Sequence, residues 1–337
     1  MIKWLQHFPT FARSWSWYKR RDAFERALVT LVLVSAAGYM IYIPAFSPPP
    51  DFPSGAYVPV TQGETLRAAA KDFESRGIVR SAVLFELTGR ALGDDRRMPA
   101  GTYYFSAPQN LIQVAIRITS GDFGTTPVRI TMPEGATVKD ISKILLEELP
   151  QFNRQEFLAA ARGKEGYLFP DTYFFMPGDG TEQILSVFNN GFHVHRIKIQ
   201  KQIDAFKKPL ADVVTMASLL EKEANDTHSR RIIAGILWRR IDLGMPLQVD
   251  AVFPYIIGKN SFQLTREDLQ TDNPYNTYTN KGLPPGPIAN PGLDSLAAAV
   301  TPIKSNYLYY LSDKQGNFHF AATYAEHLRN KSKYLGT

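Results

Sequence analysis

Residues 211–224, ADVVTMASLLEKEA, are the most informative stretch for the fold of the second half of the chain. Their apolar residues recur at helical spacing and predict an amphipathic helix. At 100° per residue, Glu223 shares a face of this helix with Met216, Leu219 and Leu220. A carboxyl group among apolar neighbours has its charged form disfavoured, so its pKa rises and it can carry a proton at neutral pH. Glu223 is therefore a candidate general acid.

Glu221 lies about 200° from Glu223 around the same helix, so the two carboxylates do not form a side-by-side pair. Glutamates on amphipathic helices are more often solvated surface residues than catalytic groups, and the helix pattern alone leaves that alternative open for Glu223. The rest of the chain is needed to decide between the two.

The neighbouring sequence combines helices with one unusual loop. Periodicity predicts helices over Thr181–Phe206 and Ser229–Leu243, and Gly244 ends the second. Beyond Leu247 the sequence is typical of loops. Asn273–Gly292, NPYNTYTNKGLPPGPIANPG, contains five Pro, three Gly and two Tyr, which excludes a central strand or a helix. This loop is either a connection or a cleft wall, because aromatic faces and polar side chains are the usual means of holding a sugar.

An uncharged run of twenty residues, Ala27–Phe46, follows a basic segment. At about 1.5 Å per residue it spans about 30 Å, the thickness of a bilayer core. Residues 1–26 carry six Lys or Arg against two acids, and positive charge stays in the cytoplasm. A single-pass protein with a cytoplasmic N-terminus is predicted. A signal peptide cleaved near Ser35-Ala36-Ala37 is the main alternative, and a buried core helix is a weaker one.

The charge and composition of the chain exclude several classes of function. Of the net charge of +6, residues 1–26 contribute +4 and the remainder +2, so bulk charge does not indicate a nucleic-acid partner. The absence of Cys excludes disulfides and thiolate metal sites. No His, Asp and Glu cluster has the spacing of a zinc or two-metal site, so neither a metal nor another cofactor is expected.

The segment after the apolar run predicts a small α+β unit. Residues 47–55 are rich in Pro and are expected to form a semi-rigid linker. Strands are predicted at Ala56–Val60 and Gly101–Phe105, with a helix ending at Arg76 and another over Ser81–Ala91 between them.

The opening of this unit recurs 72 residues later. Val58-Pro-Val-Thr-Gln-Gly-Glu-Thr-Leu aligns with Ile130-Thr-Met-Pro-Glu-Gly-Ala-Thr-Val. In both copies a strand leads into a helix with a threonine, Thr65 or Thr137, as the predicted N-cap. The pattern indicates a pair of related α+β elements.

Several stretches together resemble the YceG-like family of membrane-anchored endolytic murein transglycosylases. They occur in the order of that family and extend over roughly residues 56–335. The matching stretches are Glu165-Gly-Tyr-Leu-Phe-Pro-Asp-Thr-Tyr, Thr215-Met-Ala-Ser-Leu-Leu-Glu-Lys-Glu-Ala, Gly244-Met-Pro-Leu-Gln-Val-Asp, Tyr275-Asn-Thr-Tyr and Gly282-Leu-Pro-Pro-Gly-Pro-Ile-Ala-Asn-Pro-Gly.

The resemblance implies an α+β protein of the bacterial inner membrane. It would have a single N-terminal transmembrane helix, small LysM-like α+β subdomains and a mainly helical catalytic domain with a Pro/Gly-rich loop region. The expected segments are a basic tail (1–26), an anchor (27–46), a linker (47–55), a LysM-like region (56–132) and the catalytic domain (133–337).

The resemblance also implies the chemistry. Enzymes of this family cut peptidoglycan glycan strands between MurNAc and GlcNAc, and their catalytic glutamate matches Glu223. Candidates for holding the glycan are Gln248, Asp250, Tyr275, Asn276 and Tyr278.

One segment departs from the family pattern. Where the family tends to read Leu-Gln-Ser/Thr-Asp-Pro-Thr-Val, this chain has Leu247-Gln-Val-Asp-Ala-Val-Phe. Two hydroxyls and a Pro are lost, while Gln248 and Asp250 are kept.

Two other interpretations stay open. A membrane-anchored scaffold that binds peptidoglycan and recruits cell-wall synthases would have no reason to bury Glu223, although synthases are expected partners on either reading. A hydrolase with two carboxylates would need a second acid facing Glu223, for which Asp250 is the candidate.

Overall fold

The computed structural model describes residue 18 and residues 22–92, 98–260 and 263–336. The chain forms two compact units, Met1–Thr125 and Thr126–Thr337. This division precedes the predicted boundary after residue 132. Most of the predicted basic tail, residues 1–26, lies outside the described residues.

The elements of the first unit follow the predicted order. They are α1 (Ala23–Phe46), β1 (Ala56–Val60), α2 (Leu66–Ser75), α3 (Ala82–Ala91), β2 (Gly101–Phe105) and α4 (Leu111–Ser120). β1 and β2 pair antiparallel, with Ala56 opposite Phe105 and Val60 opposite Gly101. Val58 and Val60 point into a core that is shared with Phe73 and Phe85 of the two helices.

Helix α1 begins four residues before the predicted apolar run. Asp22 caps it, because Asp22 Oδ1 accepts a hydrogen bond from the Glu25 amide at 2.8 Å. An 18-residue window of this 24-residue helix has a mean hydropathy of 1.9, and the helix is long and apolar enough to cross a membrane. A signal sequence would meet the same criterion.

Residues 47–55, predicted to form a semi-rigid linker, contact the folded part of the first unit. Phe52 is buried in the core of the first unit, with its ring edge-on to Phe105 at a centroid distance of 5.6 Å. Arg80 Nη2 donates to the Pro48 carbonyl at 2.9 Å. Burial removes the large apolar side chain of Phe52 from water, which favours this contact.

The second unit starts with another small α+β element and continues as a helical body. Its elements are β3 (Val128–Thr131), α5 (Val138–Glu148), α6 (Arg154–Ala160), β4 (Thr172–Phe175), α7 (Thr181–Lys198), α8 (Gln200–Phe206), α9 (Leu210–Glu223), α10 (Thr227–Asp242), α11 (Phe253–Ile257), α12 (Leu293–Val300), β5 (Tyr309–Ser312), β6 (Phe318–Ala321) and α13 (Tyr324–Leu335). Strands β3 and β4, and strands β5 and β6, pair antiparallel.

The sequence repeat corresponds to a structural repeat. Both copies have the order strand, helix, helix, strand, and α5 and α6 begin 72 residues after α2 and α3, respectively. The predicted caps are confirmed, because Thr65 Oγ1 accepts from the Ala68 amide and Thr137 Oγ1 from the Asp140 amide. Similar local signals therefore produce the same supersecondary unit twice.

Helix α9 is the centre of the helical body. Val213–Leu220 are all buried, and the apolar neighbours predicted for Glu223 have no exposed surface. The Trp238 indole of α10 donates to the Ala299 carbonyl of α12 at 3.0 Å. Packing against these helices fixes the C-terminal end of α9, where Glu223 is the last helical residue.

Two helical predictions need correction. The helix predicted over Thr181–Phe206 is two helices separated by Ile199, whose backbone leaves the helical region with φ −116° and ψ 15°. The side chain of Ile199 is buried, and the break in the helix places it in the core. Beyond Leu247 the chain is less irregular than predicted, since α12, the β5–β6 hairpin and α13 follow. Residues 273–292 contain no helix or strand.

Candidate active site

A cavity of about 680 Å³ lies in the second unit, and Glu223 forms part of its wall. The other lining residues come from the start of α5, the ends of α6 and α9, the segment around α11 and the Pro/Gly-rich loop. They are Thr137, Val138, Lys139, Asp140, Leu158, Glu165, Lys222, Ala251, Pro254, Tyr255, Asn260 and Ile288. The cavity is large enough for sugar residues and mixes apolar with charged surface.

The environment of Glu223 disfavours its charged form. The pKa of the Glu223 carboxyl is raised to about 7, chiefly by burial and also by the charge of Asp250, against hydrogen bonds from Tyr310 and from the Ala251 amide that lower it. The side chain is nevertheless partly exposed, because it faces the cavity. Glu223 can therefore hold a proton at neutral pH and release it to a ligand.

Tyr310 is the closest polar partner of the acid. Its hydroxyl donates to Glu223 Oε2 at 2.8 Å. Burial and the nearby Glu223 carboxyl raise the pKa of Tyr310 well above its ordinary value, so the hydroxyl stays protonated and remains a donor. Tyr310 lies on β5, 87 residues after Glu223, in a region that the sequence predicted to be loop.

Replacing Tyr310 by Phe is expected to slow the reaction by roughly tenfold and to move the alkaline limb of its pH profile to higher pH. The hydroxyl stabilises the carboxylate, so its loss raises the pKa of Glu223 and leaves the conjugate base poorly held. The matched control is Tyr309→Phe, since Tyr309 stacks on His327 instead. An unshifted profile for Tyr310→Phe would refute this role.

Asp250 and Tyr278 form a second layer next to the acid. The Tyr278 hydroxyl donates to Asp250 Oδ1. Burial raises the pKa of Tyr278 above its ordinary range, and the Asp250 carboxylate adds to this. The Tyr278 hydroxyl thus holds the Asp250 side chain in place, and the charge of Asp250 raises the pKa of Glu223.

The altered segment 247–253 contacts the acid through its backbone. Val249, Val252 and Phe253 are buried in the core, whereas Ala251 lines the cavity. The Ala251 amide donates to Glu223. The proline that the family tends to have at this position has no amide hydrogen, so this bond depends on the change to Ala.

Arg240 fixes the loop that leads into this segment. Its Nη1 donates to the Leu247 carbonyl at 2.8 Å, and its Nε donates to the Leu308 carbonyl at 2.7 Å. Gln248 has a left-handed backbone with φ 51°, and its exposed side chain accepts a long bond of 3.4 Å from Arg240. Arg240 therefore ties the Gln248 turn to the strand that carries Tyr310.

The remaining two predicted substrate residues support the loop. Asn276 has no exposed surface, and its Nδ2 donates to the carbonyls of Leu269 and Thr271. The ring of Tyr275 packs against that of Tyr255, which lines the cavity, at a centroid distance of 5.2 Å. None of the five predicted substrate residues is among the described residues that line the cavity.

Glu221 belongs to a different cluster. Its Oε1 accepts from Arg230 Nη2 at 2.9 Å, and its Oε2 accepts from the Gly292 amide at 2.8 Å. Arg230 also donates to Asp294 at 2.6 Å and to the Ala224 carbonyl at 2.9 Å. This buried network holds the C-terminal end of α9 and separates the structural role of Glu221 from the role of Glu223.

The site defines a class of protein before any comparison. Glu223 has a pKa near neutrality, faces a sugar-sized cavity and accepts a hydrogen bond from a tyrosine hydroxyl, which is the arrangement of an enzyme that protonates a leaving oxygen.

The chain belongs to the YceG-like family, whose model matches residues 58–333. It is 29% identical over 306 residues to the endolytic murein transglycosylase of Bacillus subtilis (strain 168), covering 82% of this chain and 84% of that protein. It is 26% identical over 356 residues to the endolytic murein transglycosylase of Streptococcus pneumoniae (strain D39), covering 92% of this chain and 64% of that longer protein.

A solved structure has the same fold. The crystal structure of a YceG-like protein from Listeria monocytogenes aligns with a TM-score of 0.54 at 29% identity, covering 81% of this chain and 98% of that one.

Proposed function

We propose that this chain is a peptidoglycan lytic transglycosylase that cuts glycan strands internally between MurNAc and GlcNAc. The observation that carries the proposal is Glu223, an acid with a pKa of about 7 at the wall of a sugar-sized cavity, which accepts a hydrogen bond from the Tyr310 hydroxyl. The names of the relatives support the substrate class.

In the proposed reaction Glu223 acts first as acid and then as base. Its proton passes to the glycosidic oxygen as the bond from that oxygen to C1 of MurNAc breaks. The C6 hydroxyl oxygen of the same MurNAc then bonds to C1, and its proton returns to the Glu223 carboxylate. The products are a free GlcNAc hydroxyl and a 1,6-anhydro-MurNAc end, and the enzyme is regenerated. Attack within one sugar has a high effective molarity, so a second carboxylate is not required.

The position of Asp250 favours this route over hydrolysis with two carboxylates. Asp250 is held by the Tyr278 hydroxyl and is not among the described residues that line the cavity. In a hydrolase the second carboxylate would have to contact either the attacking water, as a general base, or the sugar, as a nucleophile. Asp250 instead raises the pKa of Glu223 and helps it to keep its proton.

The pH profile follows from the pKa of Glu223. The reaction starts from the protonated acid, so kcat/KM should be high below about pH 7 and fall as the proton is lost above it. Initial rates of strand cleavage at constant ionic strength, from about pH 5 to pH 9, measure this. A rate that rises through pH 7 would mean that Glu223 first accepts a proton.

The remaining parts of the proposal concern location and binding. Helix α1 would anchor the enzyme in the bacterial inner membrane, with the N-terminus in the cytoplasm and the chain from residue 47 onward outside. The strand–helix–helix–strand element of the first unit would act as a LysM-like glycan-binding module. Cutting close to the membrane would limit the length of nascent strands beside their synthases.

The test is digestion of purified glycan strands with the full chain in detergent, followed by mass spectrometry before and after borohydride reduction. Ends that resist reduction support the transglycosylase. New reducible ends would indicate a hydrolase, and uncut strands that still bind would indicate a scaffold.

A further inference from the structure

A second acid in the cavity has no part in the proposed reaction. Glu165 lies between α6 and β4 and lines the same cavity as Glu223. It opens the sequence Glu165-Gly-Tyr-Leu-Phe-Pro-Asp, one of the stretches that resemble the family. The question is whether Glu165 serves the fold alone or also the substrate.

One oxygen of Glu165 has a clear structural task. Oε1 accepts from the Val138 amide at the start of α5 and from Asn290 Nδ2, both at 3.0 Å. Asn290 is fully buried, and its Oδ1 accepts from the Leu168 amide at 2.8 Å. Glu165 thus joins α5, its own turn and the Pro/Gly-rich loop.

Close packing holds the turn itself in place. Gly166 has φ +86°, and a Cβ at this position would lie 2.5 Å from Pro287 Cγ and 2.7 Å from Val214 Cγ1. Only glycine fits such a contact. Because Val214 belongs to the helix of Glu223, the positions of the two acids are fixed by the same packing.

The other oxygen of Glu165 is not accounted for by this task. Among the hydrogen bonds of the described residues, Oε2 receives only a longer, shared one of 3.2 Å from the Val138 amide. A carboxylate oxygen can accept two bonds, so Oε2 has capacity to spare at a cavity wall. Burial raises the pKa of Glu165 to about 7, with a further contribution from Asp140, so near neutrality a fraction of the molecules presents a carboxylate.

The surroundings of Glu165 fit an acetamido sugar. Leu158 and Ile288 supply apolar surface in the same cavity, suitable for an acetyl methyl group. The Tyr255 ring is 38% exposed and offers a face to a pyranose ring. An acetamido N–H would supply the donor that Oε2 lacks.

We propose that Glu165 is a substrate-binding residue whose Oε2 accepts a hydrogen bond from the acetamido N–H of a glycan sugar in this cavity. The inference rests on the proposed function for its ligand class, an N-acetylated amino-sugar polymer. The proposed hydrogen bond adds a substrate contact on the cavity wall that is formed by the second strand–helix–helix–strand element.

The test uses the Glu223→Gln form of the full chain in detergent, so that the strands stay uncut. Calorimetry gives the Kd for purified peptide-free glycan strands with and without Glu165→Gln. The glutamine can keep Oε1 as acceptor for Val138 and Asn290 but replaces Oε2 by a donor. We expect the Kd to rise about tenfold, with a melting temperature no lower than that of the parent. The matched control, Glu148→Gln on the exposed side of α5, should leave both unchanged.

A second variant separates binding from folding. Val138→Pro removes the amide donor to Glu165 but leaves its carboxylate, and proline is well accepted at the first helical position. If Glu165 acts only as a cap, Val138→Pro will weaken binding as much as Glu165→Gln does. If our proposal holds, Val138→Pro retains most of the affinity.

The proposal is overturned if Glu165→Gln leaves the Kd unchanged, or if Val138→Pro reproduces its effect. Failure of the proposed function would look different. The protein with Glu223 intact would then leave strands uncut, while the dependence of the Kd on Glu165 would persist.

Discussion

Replacing Glu223 by Gln is expected to lower kcat for strand cleavage by about a thousandfold or more, with the fold intact. An amide cannot give its proton to the glycosidic oxygen, yet Gln is of similar size and its Oε1 can still accept the Tyr310 hydroxyl. Product release from defined strands, measured by chromatography per folded molecule, gives the rate.

The same variant should also be more stable than the wild type in mildly alkaline solution. In the unfolded chain Glu223 ionises near its ordinary pKa of 4.5, whereas in the fold its pKa is about 7. As pH rises between these values the unfolded state loses its proton first, so folding becomes less favourable, by an order of 2–3 kcal/mol above pH 7. Gln has no charge to bury and avoids this loss. Thermal melts at about pH 5 and pH 8 measure the difference.

Glu221→Gln is the matched control for chemistry. Glu221 faces Arg230 and not the cavity, so well below its melting temperature this variant should cut strands within a few-fold of the wild type. Near-normal cleavage by Glu223→Gln together with an inactive Glu221→Gln would mean that the two roles are exchanged.

Replacing Arg230 by Ala is expected to destabilise the second unit by about 3–5 kcal/mol and to lower its melting temperature by roughly 10 °C. The side chains of Arg230 and Glu221 are only 8% and 5% exposed. Removing the guanidinium leaves the Glu221 carboxylate buried without its cation and frees the Ala224 carbonyl at the end of α9. Cleavage should fall as well, because Glu223 directly precedes Ala224, whose carbonyl Arg230 holds in place.

The control for this prediction is Arg239→Ala on the same helix. Arg239 is exposed and donates only to the Ser305 carbonyl, at 2.9 Å, among the described contacts. Its loss should cost less than about 1 kcal/mol. Equal melting temperatures for the two variants would show that the buried network does not hold the helix end.

The features that were predicted best from the sequence are helices and caps that depend on local periodicity. The helix expected at 211–224 is Leu210–Glu223, and its apolar face is buried as the spacing of Met216, Leu219 and Leu220 indicated. The repeat was visible because each copy places a threonine cap nine residues after the first residue of its strand, Ala56 or Val128. Signals of this kind lie within a few residues of one another.

Contacts between distant parts of the chain were not predictable. Tyr310 reaches Glu223 only because the β5–β6 hairpin packs on the helical body, and nothing near Tyr310 in sequence signals this. Asn276 was predicted to hold the glycan. An irregular loop leaves carbonyls without partners, and the Asn276 side chain donates to two of them, those of Leu269 and Thr271. Direct contact of Gln248, Asp250, Tyr275, Asn276 and Tyr278 with a glycan stays a prediction.

The central claim is that one acid suffices because the substrate supplies the nucleophile. Digestion of glycan strands in water enriched in oxygen-18, followed by mass spectrometry of the new MurNAc ends, tests it most directly. We predict ends without the heavy isotope and lighter by one water than a hydrolysis product. Ends that carry oxygen-18 would contradict the account and would make Asp250 the second carboxylate of a hydrolase.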